Sequence, residues 1–204
     1  MLKIVLIIIY LLFSSSIVKS DSKINITVKE STNFTGKEFK RNEKGCGLNK
    51  NQKGNRDKES VLNIFYSKNS TIKGGTFECS LQNVIYAQWN LNLIISSVNA
   101  SKGSDNAFEI RNSNAIIKDS KFSFSPQNKC VEGENGLLVF YNNILKNCKL
   151  GFDIEKTDSS EFTAVIFLKN EFISIKHDAF NCHDRNDKKA NKVYLFLKDN
   201  KSKK

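Results

Sequence analysis

From about residue 70 onward, short runs of β-branched and aromatic residues alternate with clusters of Asn, Asp, Ser and Gly. One apolar phrase returns as STIKGGTF (Ser70 to Phe77), NLIISSV (Asn92 to Val98) and AIIKDSKF (Ala115 to Phe122). Looser copies follow as LLVFYNNIL (Leu137 to Leu145), VIFLKNEF (Val165 to Phe172) and KVYLFLKDN (Lys192 to Asn200). Aligning the last apolar residue before each turn gives Ile72, Ile95, Ile117, Phe140, Leu168 and Leu197, with steps of 23, 22, 23, 28 and 29. A fixed period in this range marks stacked supersecondary units, each burying its apolar face against its neighbours.

A second set of phrases flanks the first: NVIYAQ at 83–88, NAFEIR at 106–111, LGFDIE at 150–155 and DAFNC at 178–182. In NAFEIR, Phe108 and Ile110 point one way, Glu109 and Arg111 the other. In LGFDIE, Phe152 and Ile154 oppose Asp153 and Glu155. Such alternation marks a strand with one buried face. The separators, such as Asn112 to Asn114 and Lys156 to Ser160, are residues that tolerate tight or left-handed turns. Val61 to Tyr66 reads as the first buried strand. No segment carries a convincing helical period, so the fold is expected to be all-β.

FEIRNSNAIIKDSKF (Phe108 to Phe122) and GFDIEKTDSSEFTAVIFLKNEF (Gly151 to Phe172) share the form of a short alternating strand, a polar turn, then an apolar run ending before Phe. This resembles the right-handed parallel β-helix of pectin-lyase-like secreted repeat proteins, over about 61–200. The resemblance implies a β-solenoid of about six short coils with polar caps. It places Phe77, Phe122 and Phe172 in a stack at one corner, with Asp119 and Asn170 in the turn ahead of them. Enzymes of that family cleave acidic polysaccharides, using carboxylates that hold calcium beside an Arg or Lys base, or clustered aspartates with a histidine motif. Neither pattern is recognisable here: Gly-His-Gly and paired-Asp signatures are absent, and no Asp cluster repeats across neighbouring coils near a base. Six coils at a strand spacing of ~4.8 Å stack to roughly 30 Å, short for a long polysaccharide groove.

Residues 1–20 read as a secretory leader. Lys3 precedes an uninterrupted apolar stretch, Ile4 to Phe13, followed by a serine-rich segment to Ser20. That stretch is shorter than the roughly 20 residues a membrane helix needs. No second spanning segment occurs, so a secreted, extracellular chain without stable membrane insertion is expected. Residues 21–60 are polar and charged and read as an N-terminal cap or flexible lead-in; 61–200 form the β-helix and 201–204 a basic tail. N-glycosylation is expected at the sequons of Asn25, Asn33, Asn69 and Asn99, with a fifth at Asn200 close to the last residue. The cysteines are Cys46, Cys79, Cys130, Cys148 and Cys182. In an oxidising compartment Cys46–Cys79 and Cys130–Cys148 are plausible pairs by proximity, leaving one over.

The formal net charge is +11, and residues 21–204 carry +9. Outside the cell nucleic acid is not an expected partner; an acidic polysaccharide or an anionic cell surface fits the charge. Lys, Asn, Ile and Phe also share A/T-rich codons, which would produce the same excess without any partner. Basic residues gather at 37–58 and 188–204.

Nothing in the sequence points to a catalytic residue, a metal or a cofactor. Phosphate-loop, dinucleotide, zinc-protease and nucleophile-elbow motifs are absent. His177–Asp178 with His183–Asp184–Arg185, beside Cys182, could perform acid–base work if they converged, but the segment reads as a solvated loop ending a coil. Trp89, the only tryptophan, stands at the edge of a strand phrase and is expected to be packed; exposed, it would be a sugar-stacking residue. The expected protein is a non-catalytic binding or surface-associated β-solenoid. The alternatives are a polysaccharide lyase- or hydrolase-like enzyme, or a degenerate relative of one, and a structural matrix or coat component.

Overall fold

A computed structural model describes residues 26–28, 33–35, 38–40, 60–80, 82–156, 162–184 and 193–204. For 26–40 and for residues 124, 126, 127, 156, 183 and 184 it describes the backbone alone. Successive strands are β1 (Ile26–Val28), β2 (Asn33–Thr35), β3 (Glu38–Lys40), β4 (Leu62–Phe65), β5 (Thr71–Lys73) and β6 (Thr76–Ser80). They continue as β7 (Ile85–Gln88), β8 (Leu93–Ser96), β9 (Asn99–Gly103), β10 (Phe108–Arg111), β11 (Ala115–Lys118) and β12 (Lys121–Glu134). The last are β13 (Gly136–Tyr141), β14 (Ile144–Lys156), β15 (Thr163–Leu168), β16 (Glu171–Ile173), β17 (Phe180–Asp184), β18 (Val193–Lys198) and β19 (Lys201–Lys203). The described residues contain no helix.

Every strand pair is parallel, each strand lying on its counterpart one coil away: this is an all-β parallel solenoid. One wall, sheet B, runs β2-β5-β8-β11-β13-β15-β18. The remaining strands form sheet A, which wraps the other sides; β12 and β14 bend through it, pairing with each other along most of their length. About four turns are complete within the described residues, against the six expected. Residues 157–161 and 185–192, which lead into β15 and β18, lie outside them.

Alternate residues of each wall meet in the interior. Leu62, Ile64, Ile85, Phe108, Ile110, Phe152 and Ile154 from sheet A face Ile72, Ile95, Ile117, Phe140, Val165 and Phe167 from sheet B, all essentially inaccessible to water. Phe140 and Phe167 stack at 4.8 Å between centroids. Where Phe152 crosses the core, the adjoining coil carries Gly133: a Cβ there would stand 2.7 Å from the Phe152 ring.

The register corrects two details read from the sequence. Ile72, Ile95, Ile117 and Phe140 share one row, but that row continues through Phe167, not Leu168. The outward position after the core row holds Leu168 where Lys73, Ser96, Lys118 and Lys198 stand in other coils, so counting to the last apolar residue overshoots by one. Phe77, Phe122 and Phe172 do occupy one row, but Ala100 and Leu145 separate them, so their rings form no continuous stack. Asp119 and Asn170 both lie in the turn ahead of that row, at adjacent positions of the corner. Asp119 matches Asn142 and Lys169, all with positive φ at the corner, whereas buried Asn170 follows Ser120 and Asn143.

The corners explain the Asn and Ser content. Each coil turns through a residue in the left-handed region, from Tyr66 (φ 52°) to Asp199 (φ 56°), which, after glycine, Asn and Asp adopt most cheaply. At several corners the next residue is a buried Ser or Asn, as at Ser67, Asn90, Ser113, Ser120, Asn143 and Asn170, whose side chain takes part in bridging to the neighbouring coil. The Asn170 backbone N–H donates to Asn200 Oδ1 at 2.9 Å, and Asn143 N–H to Asn170 Oδ1 at 2.9 Å. Asn170 Nδ2 in turn donates to the Phe140 carbonyl at 3.0 Å. Ser67, Asn90 and Ser113 repeat the device at another corner.

Candidate functional site

The outward residues of β10, β12 and β14 fall into register. Glu109 lies beside Glu132, and Glu132 beside Asp153; Arg111 lies beside Glu134. The row the sequence did not reveal is therefore a ladder of carboxylates, most of them Glu, across three coils with two cations among them. Arg111 Nη2 meets Glu132 at 3.1 Å and Glu155 at 3.0 Å, and Nη1 meets Glu134 at 2.9 Å; its Nε contacts Glu109. Lys129 Nζ lies 2.7 Å from both Glu132 and Asp153. Asn106 Nδ2 donates to Glu132 at 3.0 Å and Asn181 Nδ2 to Asp153 at 2.7 Å. All five carboxylates are buried. The alternation in FEIR and FDIE did place Glu109 and Asp153 opposite the core, but burial on that outer face depends on tertiary cover that a repeat pattern does not encode.

Burial is the largest influence on these charges and opposes all of them, yet their neighbours outweigh it. Arg111 is driven above its ordinary range by Glu109, Glu134, Glu132 and Glu155. Lys129 is raised by Glu132 and Asp153. The Glu132 carboxyl is held down to about 2, chiefly by Lys129, a hydrogen bond with Glu155, and Arg111. A general base must be able to shed its proton near the working pH. Arg111 and Lys129 are both moved away from that condition, and what the arrangement does is bind three coils together.

Sheet B presents a different outer face. Ile94, Ile116, Val139, Ile166 and Phe196 form one row across five coils. A second row sets Leu137 beside Ala164 and Tyr194. Ile116 is 43% exposed, Tyr194 56% and Phe196 55%. A third row, along the border, carries Lys73, Ser96, Lys118, Tyr141, Leu168 and Lys198. Lys169 reaches over the Tyr141 ring at 5.6 Å. The result is a flat apolar, aromatic-bearing wall with lysines at its edge. Contiguous exposed apolar surface of this kind marks an interaction site.

Two grooves follow the corners. One, of about 740 Å³, runs past Asp119, Asn142, Lys169 and Asp199 with Lys121, Glu171 and Lys201, so its charges balance. The other, of about 420 Å³, is bordered by Trp89, Leu91, Asn112, Asn114 and Phe162. Trp89 is 47% exposed, which overturns its expected packed role. It sits at the left-handed corner (φ 54°), where the side chain leaves the coil outward.

Cys130 and Cys148 form the expected disulfide. Cys79 is also disulfide-bonded, Cys46 lies outside the described residues, and Cys182 is exposed. Asn69 and Asn99 are exposed, and Asn69 Oδ1 accepts from Asn92 Nδ2 at 2.9 Å. Asn25 lies outside the described residues and Asn33 begins β2. Asn200 is committed to the buried ladder, its Nδ2 donating to the Phe167 carbonyl at 2.9 Å. His177 and Asp178 are exposed on a turn; His183 and Asp184 belong to β17, opposite Glu155 and Lys156, not to a loop. Arg185 lies outside the described residues. Among the described residues, no three His, Cys, Asp or Glu side chains converge as a metal site. Comparison of the chain with family models, with curated proteins and with solved structures finds no match.

Proposed function

We propose that the protein is a secreted, N-glycosylated, non-catalytic β-solenoid of the right-handed, pectin-lyase-like kind that associates with an anionic surface. The observation that carries this reading is the outer wall of sheet B, where exposed apolar rows are bordered by Lys73, Lys118 and Lys198. Such a wall gains from apolar burial and from attraction to negative charge at once, whereas an uncharged apolar partner would leave the lysines unused. The non-catalytic part is supported by the pairing of Arg111 and Lys129, whose protons are held by surrounding carboxylates.

The test is retention on an acidic polysaccharide matrix and on anionic vesicles, each with a neutral counterpart. Binding should weaken steeply with salt, because the Debye length falls from about 10 Å at 0.1 M to about 3 Å at 1 M. Replacing Ile116 and Phe196 together by Asn should weaken binding while the far-ultraviolet spectrum stays that of a β protein. Equal retention on neutral matrices would sink the reading. Release of shortened sugars during the incubation would establish the enzymatic alternative in its place.

A structural matrix role is favoured by one other observation. Leu195 and Leu197 on β18 are 43% and 46% exposed, although their counterparts Val165 and Phe167 one coil earlier are fully buried. The last described coil thus presents apolar side chains at positions that the coil before it buries. Concentration-dependent growth in size, abolished by Leu195→Asp, would move the reading from surface binding to assembly.

A further inference from the structure

Tyr66 and Trp89 occupy the same left-handed corner on successive coils, and their rings stack with centroids 5.1 Å apart and planes inclined by 16°. Both rings are exposed, Tyr66 at 59%. The corner on the next two coils carries Asn112 and Asn135 instead, with φ of 47° and 48°. The aromatic column therefore stops at Trp89. The indole face turned away from Tyr66 looks toward the coil of Asn112 and borders the corner groove of about 420 Å³.

That groove differs chemically from the rest of the surface. None of its lining residues is ionisable, in a chain of which 26% of residues are charged. It combines aromatic and apolar walls at Trp89, Leu91 and Phe162 with the amides of Asn112 and Asn114. Each of those amides already accepts through Oδ1, from Asn135 Nδ2 at 2.9 Å and from the Leu137 N–H at 3.0 Å. Their Nδ2 groups donate to no described residue and remain available to a ligand.

We infer that this corner groove binds a neutral sugar, one ring of which lies against the free face of Trp89 in place of the missing aromatic rung. A pyranose ring pairs an apolar C–H face with a rim of hydroxyls, matching an indole face beside amide donors. The coil spacing of ~4.8 Å suits one further ring in the column, and the cavity falls within the roughly 300–1,000 Å³ of small-molecule sites. An acidic sugar would bring its carboxylate to a wall that lines it with no cation, at a desolvation cost. The groove adjoins the sheet B wall at its Leu137 edge, but the inference rests on Trp89, Asn112 and Asn114 and not on that wall.

Trp89 is the only tryptophan, so tryptophan emission, excited selectively over tyrosine, reports this groove. The experiment titrates cellotetraose, mannotetraose, galactotetraose and chitotetraose, with tetragalacturonate as the acidic control. It uses an Asn69→Gln chain, so that no sugar attached three residues from Tyr66 can compete. At least one neutral tetrasaccharide should shift the emission saturably, and tetragalacturonate should not. Asn112→Tyr fills the vacant rung and should weaken that binding by about tenfold or more, as should Trp89→Ala read by calorimetry, whereas Trp89→Phe should stay within about threefold. Emission unmoved by every neutral sugar up to about 10 mM would overturn the inference. So would a response confined to tetragalacturonate, or affinity unchanged in Asn112→Tyr with its β spectrum intact.

Discussion

Arg111 gathers four carboxylates from three successive coils, and Lys129 two more contacts from the same set. Removing one partner from a buried charge network leaves the others uncompensated, which costs about 3–5 kcal/mol. Arg111→Met is therefore expected to lower the unfolding free energy by about that amount in denaturant titration; a change below about 1 kcal/mol would mean the network is not formed in solution. The acid limb of stability follows from Glu132. Its carboxyl falls from an ordinary 4.5 to about 2 in the fold, so its contribution is complete above about pH 4.5 and is lost as pH falls towards 2. The melting temperature should drop across that window, and less so in Glu132→Gln; parallel curves for the two chains would contradict the pairing. The side of the strand occupied by Glu109 and Asp153 was readable from alternation. Their burial was not, because it depends on what covers the sheet, and Trp89 escaped for the converse reason: a strand-edge residue packs or projects according to the φ of its corner.

At the scale of elements, the period was legible because each coil must place an apolar residue at the same point of the core. It failed by one residue where an outward position is also apolar, taking Leu168 for Phe167. The two positions provide a test of register. Phe167 is fully buried among Phe140, Phe152, Phe172 and Phe180, whereas Leu168 lies on the outer face. Phe167→Ala should destabilise by about 3–5 kcal/mol and Leu168→Ala by under about 1 kcal/mol. The reverse ranking would restore the register counted from the sequence. Ladder residues give a second measure. Asn170→Ala would leave the Asn143 N–H and the Phe140 carbonyl without their side-chain partner, at about 1–3 kcal/mol for each buried group. Asn170→Asp, which at neutral pH sets a buried carboxylate against the Phe140 and Leu168 carbonyls, should cost at least as much as Ala, and a loss as small as that of a surface change would exclude a structural ladder.

For the whole molecule, parallel stacking divides the surface into walls of different character. One is an interlocked charge ladder, one an apolar wall edged with lysine, and the corners are Asn-rich grooves. The excess of positive charge, legible at once in composition, did not say where a partner would dock, since that depends on which lysines the register brings to one edge. The proposal that the sheet B wall meets an anionic surface is tested most directly by lysine footprinting. The protein, free and bound to anionic vesicles or to an acidic polysaccharide, is acetylated and its modified lysines are identified. Lys73, Lys118 and Lys198, on the border of the wall, should become protected on binding, while exposed Lys102 and Lys149 on sheet A should react as before. Protection of Lys102 and Lys149 with Lys73, Lys118 and Lys198 still reactive would place the contact on the opposite side of the solenoid and contradict the proposed function.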